Sequence, residues 1–156
     1  MANPAEVKAV GVSVDDGGVG TPAVVLESRE ELLPIFVGPG QARSIEEARQ
    51  KLPSERPMTH DLLVEMITDF GGAFDRVRID DLAGGTFYAK IDAELIRDGE
   101  RQQKVFDARP SDAIALAVRV DCPITVTDDV LDRAGVPADA LDVEDVDDVD
   151  PDTSDW

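Results

Sequence analysis

The sequence predicts an α+β domain in which a mixed β-sheet packs with about three main helices, and three observations carry that reading. Short runs rich in Val and Ile are separated by turns rich in Gly, Pro and Asp. Two longer segments, near residues 41–51 and 59–70, repeat apolar residues at intervals of three and four. A further helix opens abruptly at Pro110, directly after a strand-like run.

Glu6 to Val14 is rich in valine and meets the turn cluster Asp15-Asp16-Gly17-Gly18-Val19-Gly20, so with the Ala23-Val24-Val25-Leu26 run inside Pro22 to Ser28 it forms a first hairpin. Leu32 to Val37 follows as a strand that Pro34 confines to a sheet edge, and Gly38-Pro39-Gly40 ends it. From Gln41 to Lys51 a helix keeps Ala42, Ile45, Ala48 and Leu52 on an inner stripe and turns Arg43, Glu46, Glu47 and Arg49 outward. Pro53 to Pro57 connects to a second helix, capped by Thr59, with Leu62, Leu63, Met66, Ile67 and Phe70 inward and Gly71-Gly72 as its stop.

A meander comes next: Ala73 to Asp80, a turn at Ala83-Gly84-Gly85, Thr86 to Ile96, a tight turn at Asp98-Gly99, and Gln103 to Phe106. Pro110 forbids a continuing ladder, and Ser111 and Asp112 are placed to accept the free N–H groups of a helix that runs to about Val120. Pro123 to Thr127 gives one more strand and Asp128 to Ala134 a short helix closed by Gly135. The domain therefore spans residues 1–135. Residues 136–156 are acidic and non-periodic, and are expected to be a disordered tail whose terminal Trp156 is either frayed or a docking handle. Each of two strand-to-helix corners, Ile35 to Gly40 and Val105 to Pro110, follows a strand pair. The halves thus read as a diverged internal duplication whose corners face a shared groove.

Charge restricts the partners. The 156 residues hold 34 Asp plus Glu against 15 Lys plus Arg, a formal charge of -19. The chain from Asp128 onward has Arg133 as its single base, yet the remaining body is acidic as well. Such an acid-rich, lysine-poor surface suits a salt-loaded cytoplasm, where the Debye length falls to roughly 3 Å at 1 M and self-repulsion is screened; a halophilic setting is the expectation. The same salt removes most of the counterion-release gain on which nonspecific nucleic-acid binding relies, and no basic stripe with interleaved aromatics is present. Cys122 stands alone and reads as a small apolar filler. The first residues reach a charged, strand-like pattern at once and no apolar run is long enough to span a membrane, so a cytoplasmic protein without a secretory leader is expected.

Four blocks carry a family likeness. Leu33-Pro34-Ile35-Phe36-Val37-Gly38, Arg56-Pro57-Met58-Thr59-His60-Asp61-Leu62-Leu63, Asp81-Leu82-Ala83-Gly84-Gly85-Thr86-Phe87-Tyr88-Ala89 and Asp107-Ala108-Arg109-Pro110-Ser111-Asp112-Ala113-Ile114-Ala115-Leu116-Ala117 together resemble the bifunctional nuclease domain family, over roughly Val7 to Ala134. Ala83-Gly84-Gly85 departs mildly from the Asp-Gly pair usual in that family. The resemblance implies an α+β domain with a mixed sheet, homo-oligomeric assembly, and cutting of both RNA and DNA. It brings no agreed mechanism residue by residue.

A phosphodiesterase must neutralise charge at the scissile phosphate and activate water. If the helix starts converge, Asp61, Asp107 and Asp112 would hold Mg²⁺ or Mn²⁺, His60 would move a proton and Arg109 would steady the phosphate. The competing account makes Asp61 and Asp112 first-turn acids on helix dipoles and His60 a surface or capping residue. Asp80-Asp81 is a weaker candidate because neighbouring strand residues point to opposite faces. Gly38-Pro39-Gly40 lacks the lysine of a P-loop. Phe87 and Tyr88 offer stacking surfaces, with at least one of them expected in the core. Two functions follow: a metal-assisted nuclease using the Arg56 to Asp61 and Asp107 to Asp112 corners, or a noncatalytic oligomeric module binding a small anionic ligand or a protein partner there.

Overall fold

A computed structural model describes residues 1–14, 16–18, 20–52, 55–140 and 144–145. Three strands open the chain, β1 (Ala2–Val14), β2 (Gly20–Ser28) and β3 (Glu31–Phe36), followed by helices α1 (Pro39–Gln50) and α2 (Thr59–Asp69). Three more strands, β4 (Gly72–Ala83), β5 (Thr86–Arg97) and β6 (Glu100–Ala108), run into α3 (Pro110–Val120). Then come β7 (Ile124–Thr127), α4 (Asp128–Ala134), β8 (Val136–Pro137) and β9 (Glu144–Asp145). The architecture is α+β, as the sequence predicts.

One sheet runs in the order β6-β5-β4-β7-β1-β2-β3-β8, with β9 paired to β1. The β4–β7 pair is parallel and the other pairs are antiparallel, which makes the sheet mixed. Two antiparallel meanders, β1-β2-β3 and β4-β5-β6, each feed a helix, and β7 joins them by pairing with β1 on one side and β4 on the other. Ala23, Val24, Val25 and Leu26 are all buried, so β2 is covered on both faces and reads as a continuous apolar run. Val10, Ile35, Ile45, Val77, Ile79, Ile91, Ile114, Leu116, Val126 and Leu131 complete one core.

Turn chemistry explains the hairpins. Asp98 and Gly99 both take positive φ, the pair that a two-residue turn between right-twisted strands requires. The β2–β3 turn does the same with Arg29 and Glu30, which no sequence signal marked. Pro34 sits in β3 opposite Val25, and the short β8 pairs with Glu31 and Leu32, so no ladder bond is asked of the proline nitrogen on that side.

Several helix expectations need correction. Helix α2 has no fully buried residue: Leu62, Leu63, Met66 and Phe70, assigned to its inner face, are exposed, Phe70 by 75 %. On α1, Leu52 is exposed, whereas Glu46 is buried and held by Arg49 and Gln50. Thr59 is the first residue of α2 rather than its cap, and Asp61 Oδ2 instead accepts the Met58 N–H at 2.9 Å. The sheet continues past residue 135, through Val136–Pro137 on β3 and Glu144–Asp145 on β1. Trp156 and the rest of the expected tail, residues 141–143 and 146–156, lie outside the described residues.

Candidate functional site

Helix α3 begins at Pro110 because Pro supplies the helical φ and has no N–H to lose at the first position. Arg109 is the N-cap residue, in extended conformation, and no side chain caps the helix. The expected capping by Ser111 and Asp112 is therefore corrected: Asp112, in the first turn, points to His60 and Arg109 instead. Its Oδ1 lies 2.9 Å from His60 Nε2, and its Oδ2 accepts from Arg109 Nε at 2.9 Å.

Behind His60 the polar chain continues into the protein. Ser44 Oγ on α1 lies 2.7 Å from His60 Nδ1. Arg119, in the last turn of α3 with its side chain 8 % exposed, donates to Ser44 Oγ at 3.0 Å, to Asp61 Oδ1 at 2.7 Å and to the Ala115 carbonyl at 2.9 Å. With Ser44 Oγ accepting from Arg119 and donating its own proton to Nδ1, a neutral His60 carries its proton on Nε2 and donates it to Asp112. Both ring nitrogens are then engaged. His60 orients Asp112 and does not offer a free base.

Each predicted acid can now be placed. Burial pushes the Asp112 carboxyl up, but the hydrogen bonds from His60 and Arg109 more than reverse this and hold it below the usual carboxylate range. Asp61 is likewise raised by burial and brought lower overall by the Met58 N–H and Arg119. Consecutive residues of a helix diverge by about 100°, so His60 faces the Asp112 corner while Asp61 faces Arg119 and a separate pocket beside Glu47 and Asp121. Asp107 stands between Phe106 and Ala108 on β6, and strand alternation turns its carboxylate to Lys90 Nζ, 3.2 Å away. Asp107 borders the same groove as His60 and Asp112, with its carboxylate on Lys90, whereas Asp61 lies on the other pocket, so the three acids do not form one cluster. Among the described residues no group of three or more His, Cys, Asp and Glu is arranged to hold a metal ion. The donor set does not fit Mg²⁺ or Mn²⁺ within one chain, and no step below runs through an ion.

Two concavities meet at Arg109. On one side the His60–Asp112 pair borders a groove of about 580 Å³ whose apolar wall includes Leu63, Ile67, Phe74, Ile91 and Phe106. On the other side a cavity of about 430 Å³ lies between the β3–α1 and β6–α3 corners and is bordered by Gly38, Gln41 and Ser111. The two corners thus do face a shared space. Of the aromatic pair, Phe87 packs against the core and Tyr88 is exposed. Asp80, which pairs weakly with Arg78, keeps one buried carboxylate oxygen without a partner among the described residues, and Asp81 closes onto the Leu82 N–H. Sequence reasoning missed Ser44 and Arg119. A signal existed for the arginine: one turn beyond the buried Ala115, it is the lone base of α3 and lies on its buried face, and such a residue needs an acid nearby.

Comparison with known proteins supplies the context. A family model for the bifunctional nuclease domain matches residues 24–139. Two uncharacterized proteins, from two strains of Mycobacterium tuberculosis, are each 41 % identical over 133 residues, covering 84 % of this chain and 76 % of theirs. Bifunctional nuclease 2 of Oryza sativa subsp. japonica is 34 % identical over 109 residues, covering 67 % of this chain and 33 % of that protein. Among the described residues no helix is long and apolar enough to cross a membrane.

Proposed function

The chain belongs to the bifunctional nuclease domain family, and from that premise we propose that it hydrolyses phosphodiester bonds in RNA and DNA at the Arg109–Asp112–His60 corner. The observation that carries the reading is the charge-paired corner at the mouth of an apolar groove large enough for a nucleotide. DNA has no 2′-hydroxyl, so cutting both polymers needs water as the nucleophile. Arg109 spends Nε on Asp112, and its two terminal nitrogens, without partners among the described residues, grip the nonbridging oxygens. Asp112, kept ionised by His60 and Arg109, orients the water and takes its proton only late, once the water oxygen is bonding to phosphorus and has become strongly acidic, as the bond to the leaving oxygen breaks; solvent protonates the departing alkoxide. A base shared among the unstacked apolar residues Leu63, Ile67 and Phe106 would hold the chain in register.

Cleavage of labelled single-stranded RNA and DNA in molar KCl tests this. Arg109→Ala is expected to lose about 10²-fold, and Asp112→Asn at least as much. His60→Ala, which frees Asp112 to turn, should fall by a smaller factor. Equal residual cutting by all of them would mean a contaminant. The reaction is expected without added Mn²⁺; strict dependence on the ion would instead point to carboxylates brought together between copies.

A second reading is favoured by one feature. The exposed apolar face of α2, next to the edge strand β6 with its exposed Val105 and Phe106, suits contact with a second copy. On this reading the protein is a homo-oligomeric module that binds an anionic ligand or a protein partner without cutting. Preserved assembly and ligand binding with no cleavage under any condition would select it.

A further inference from the structure

The cavity between the two helix starts is unusual in this molecule for what it lacks. More than one residue in five of the chain is acidic, 34 of 156, yet among the described residues no Asp or Glu borders this space. The neighbouring pocket at the other end of α1 has Glu47, Asp61 and Asp121 in its wall. An acid-free concavity on so acidic a surface is a local minimum of repulsion for an anion.

Its polar groups all suit a negative guest. Helices α1 and α3, of 12 and 11 residues, begin at its edge, and their first turns present partial positive charge there. Arg109 borders it with uncommitted terminal nitrogens. Ser111 decides the matter: it is 5 % exposed, lines the cavity, and its hydroxyl has no hydrogen-bond partner among the described residues. Its oxygen reaches the space of the cavity and is free to bond a guest there. Gln41 Oε1 is already occupied by the Gly38 N–H at 2.8 Å, which leaves the amide NH₂ of Gln41 as a further donor.

The rim adds an aromatic. Phe36, at the end of β3, is 61 % exposed on the same cavity, a costly position for a phenyl ring. We propose that this cavity binds a nucleotide through its phosphate monoester, with the phosphate on Ser111, Arg109 and the start of α3 and the base stacked on Phe36. It is distinct from the groove at His60 and Asp112 but competes with it for the terminal nitrogens of Arg109, and would hold the phosphorylated end of a nucleic-acid chain or a free mononucleotide. Binding there requires no cleavage.

The test is calorimetric titration of the full chain with adenosine 5′-monophosphate, adenosine and inorganic phosphate, checked by amide chemical shifts. Saturable binding of the monophosphate is expected, tighter than phosphate and absent for adenosine. Ser111→Ala should weaken the monophosphate and phosphate alike by about tenfold. Phe36→Ala, an exposed position that leaves the core untouched, should weaken the monophosphate about tenfold and phosphate not at all. A melting curve confirms that each variant is folded. No saturable binding, binding of adenosine as tight as its monophosphate, or indifference to both substitutions would each overturn the proposal. Nucleotide binding without any nuclease activity would sink the cleavage reading while this one stood, and cleavage without nucleotide binding would do the reverse.

Discussion

Arg119 links more of the site than any residue that faces solvent there. Its guanidinium spends donors on Asp61, Ser44 and the Ala115 carbonyl, three acceptors on three different segments. A lysine has one ammonium and no fork, so Arg119→Lys is expected to cost about 2 kcal/mol in chemical denaturation and to lower cleavage by releasing Ser44 and, through it, His60. A variant as stable and active as the parent would show that the chain of bonds behind His60 is idle. Acid sensitivity belongs at this scale too. Asp61, Asp92 and Asp112 are each raised by burial yet end below the ordinary carboxyl value of 3.8 through their hydrogen bonds with cations and N–H groups. As pH falls, the unfolded chain therefore binds protons first. The stabilisation is complete above about pH 5 and is lost progressively as pH falls through 3.8 and below, where the folded-state carboxyls are in turn protonated. Circular dichroism across pH 2–6 should show Asp112→Asn losing less stability on acidification than the parent.

Among the elements, α2 separates pattern from placement. Its apolar residues recur at helical spacing, and the helix is there, but periodicity names a face and not what covers it. Since Leu62, Leu63, Met66 and Phe70 stay exposed in one chain, the proposed contact with a second copy makes a direct prediction. Sedimentation equilibrium of the parent should give an oligomer, and Met66→Glu should shift it toward monomer without lowering helix content; a monomeric parent would end the idea. The β2–β3 turn yields another. Arg29 and Glu30 both sit in the left-handed region, and Arg29 is held there by Glu31, Asp128 and Asp132. Glu30 has no such tie among the described bonds. Glu30→Gly is expected to stabilise the fold by about 0.5 kcal/mol, whereas Arg29→Gly, which removes the ion pairs, should not.

At the scale of the whole molecule the charge of -19 sets the conditions of work. Some of it is met internally: Asp92 is shared by Arg76 and Arg78, and the Arg29 cluster joins the β2–β3 turn to α4. The excess remains as self-repulsion that salt screens. We propose that the protein is adapted to concentrated salt, with a melting temperature higher by roughly 5 °C or more in 2 M than in 0.1 M KCl. A flat salt dependence would remove that proposal, and with it the reason for assaying cleavage in molar KCl.

What the residues determined by themselves is local. Asp98-Gly99 specifies a tight hairpin because both positions tolerate positive φ, Pro110 specifies where a strand gives way to a helix, and alternating valines and isoleucines specify strands; hence the α+β class and nearly every element were legible. His60 and Asp112 could be picked as candidates on the same grounds, being polar residues at helix starts. Their meeting, the turning of Asp61 to Arg119 and of Asp107 to Lys90, and the inward turn of Ser44 and Arg119 were decided by the tertiary structure alone. The reason is geometric: spacing along a chain gives the direction of a side chain relative to its own helix or strand, while the distance between two side chains 52 residues apart depends on how those elements pack.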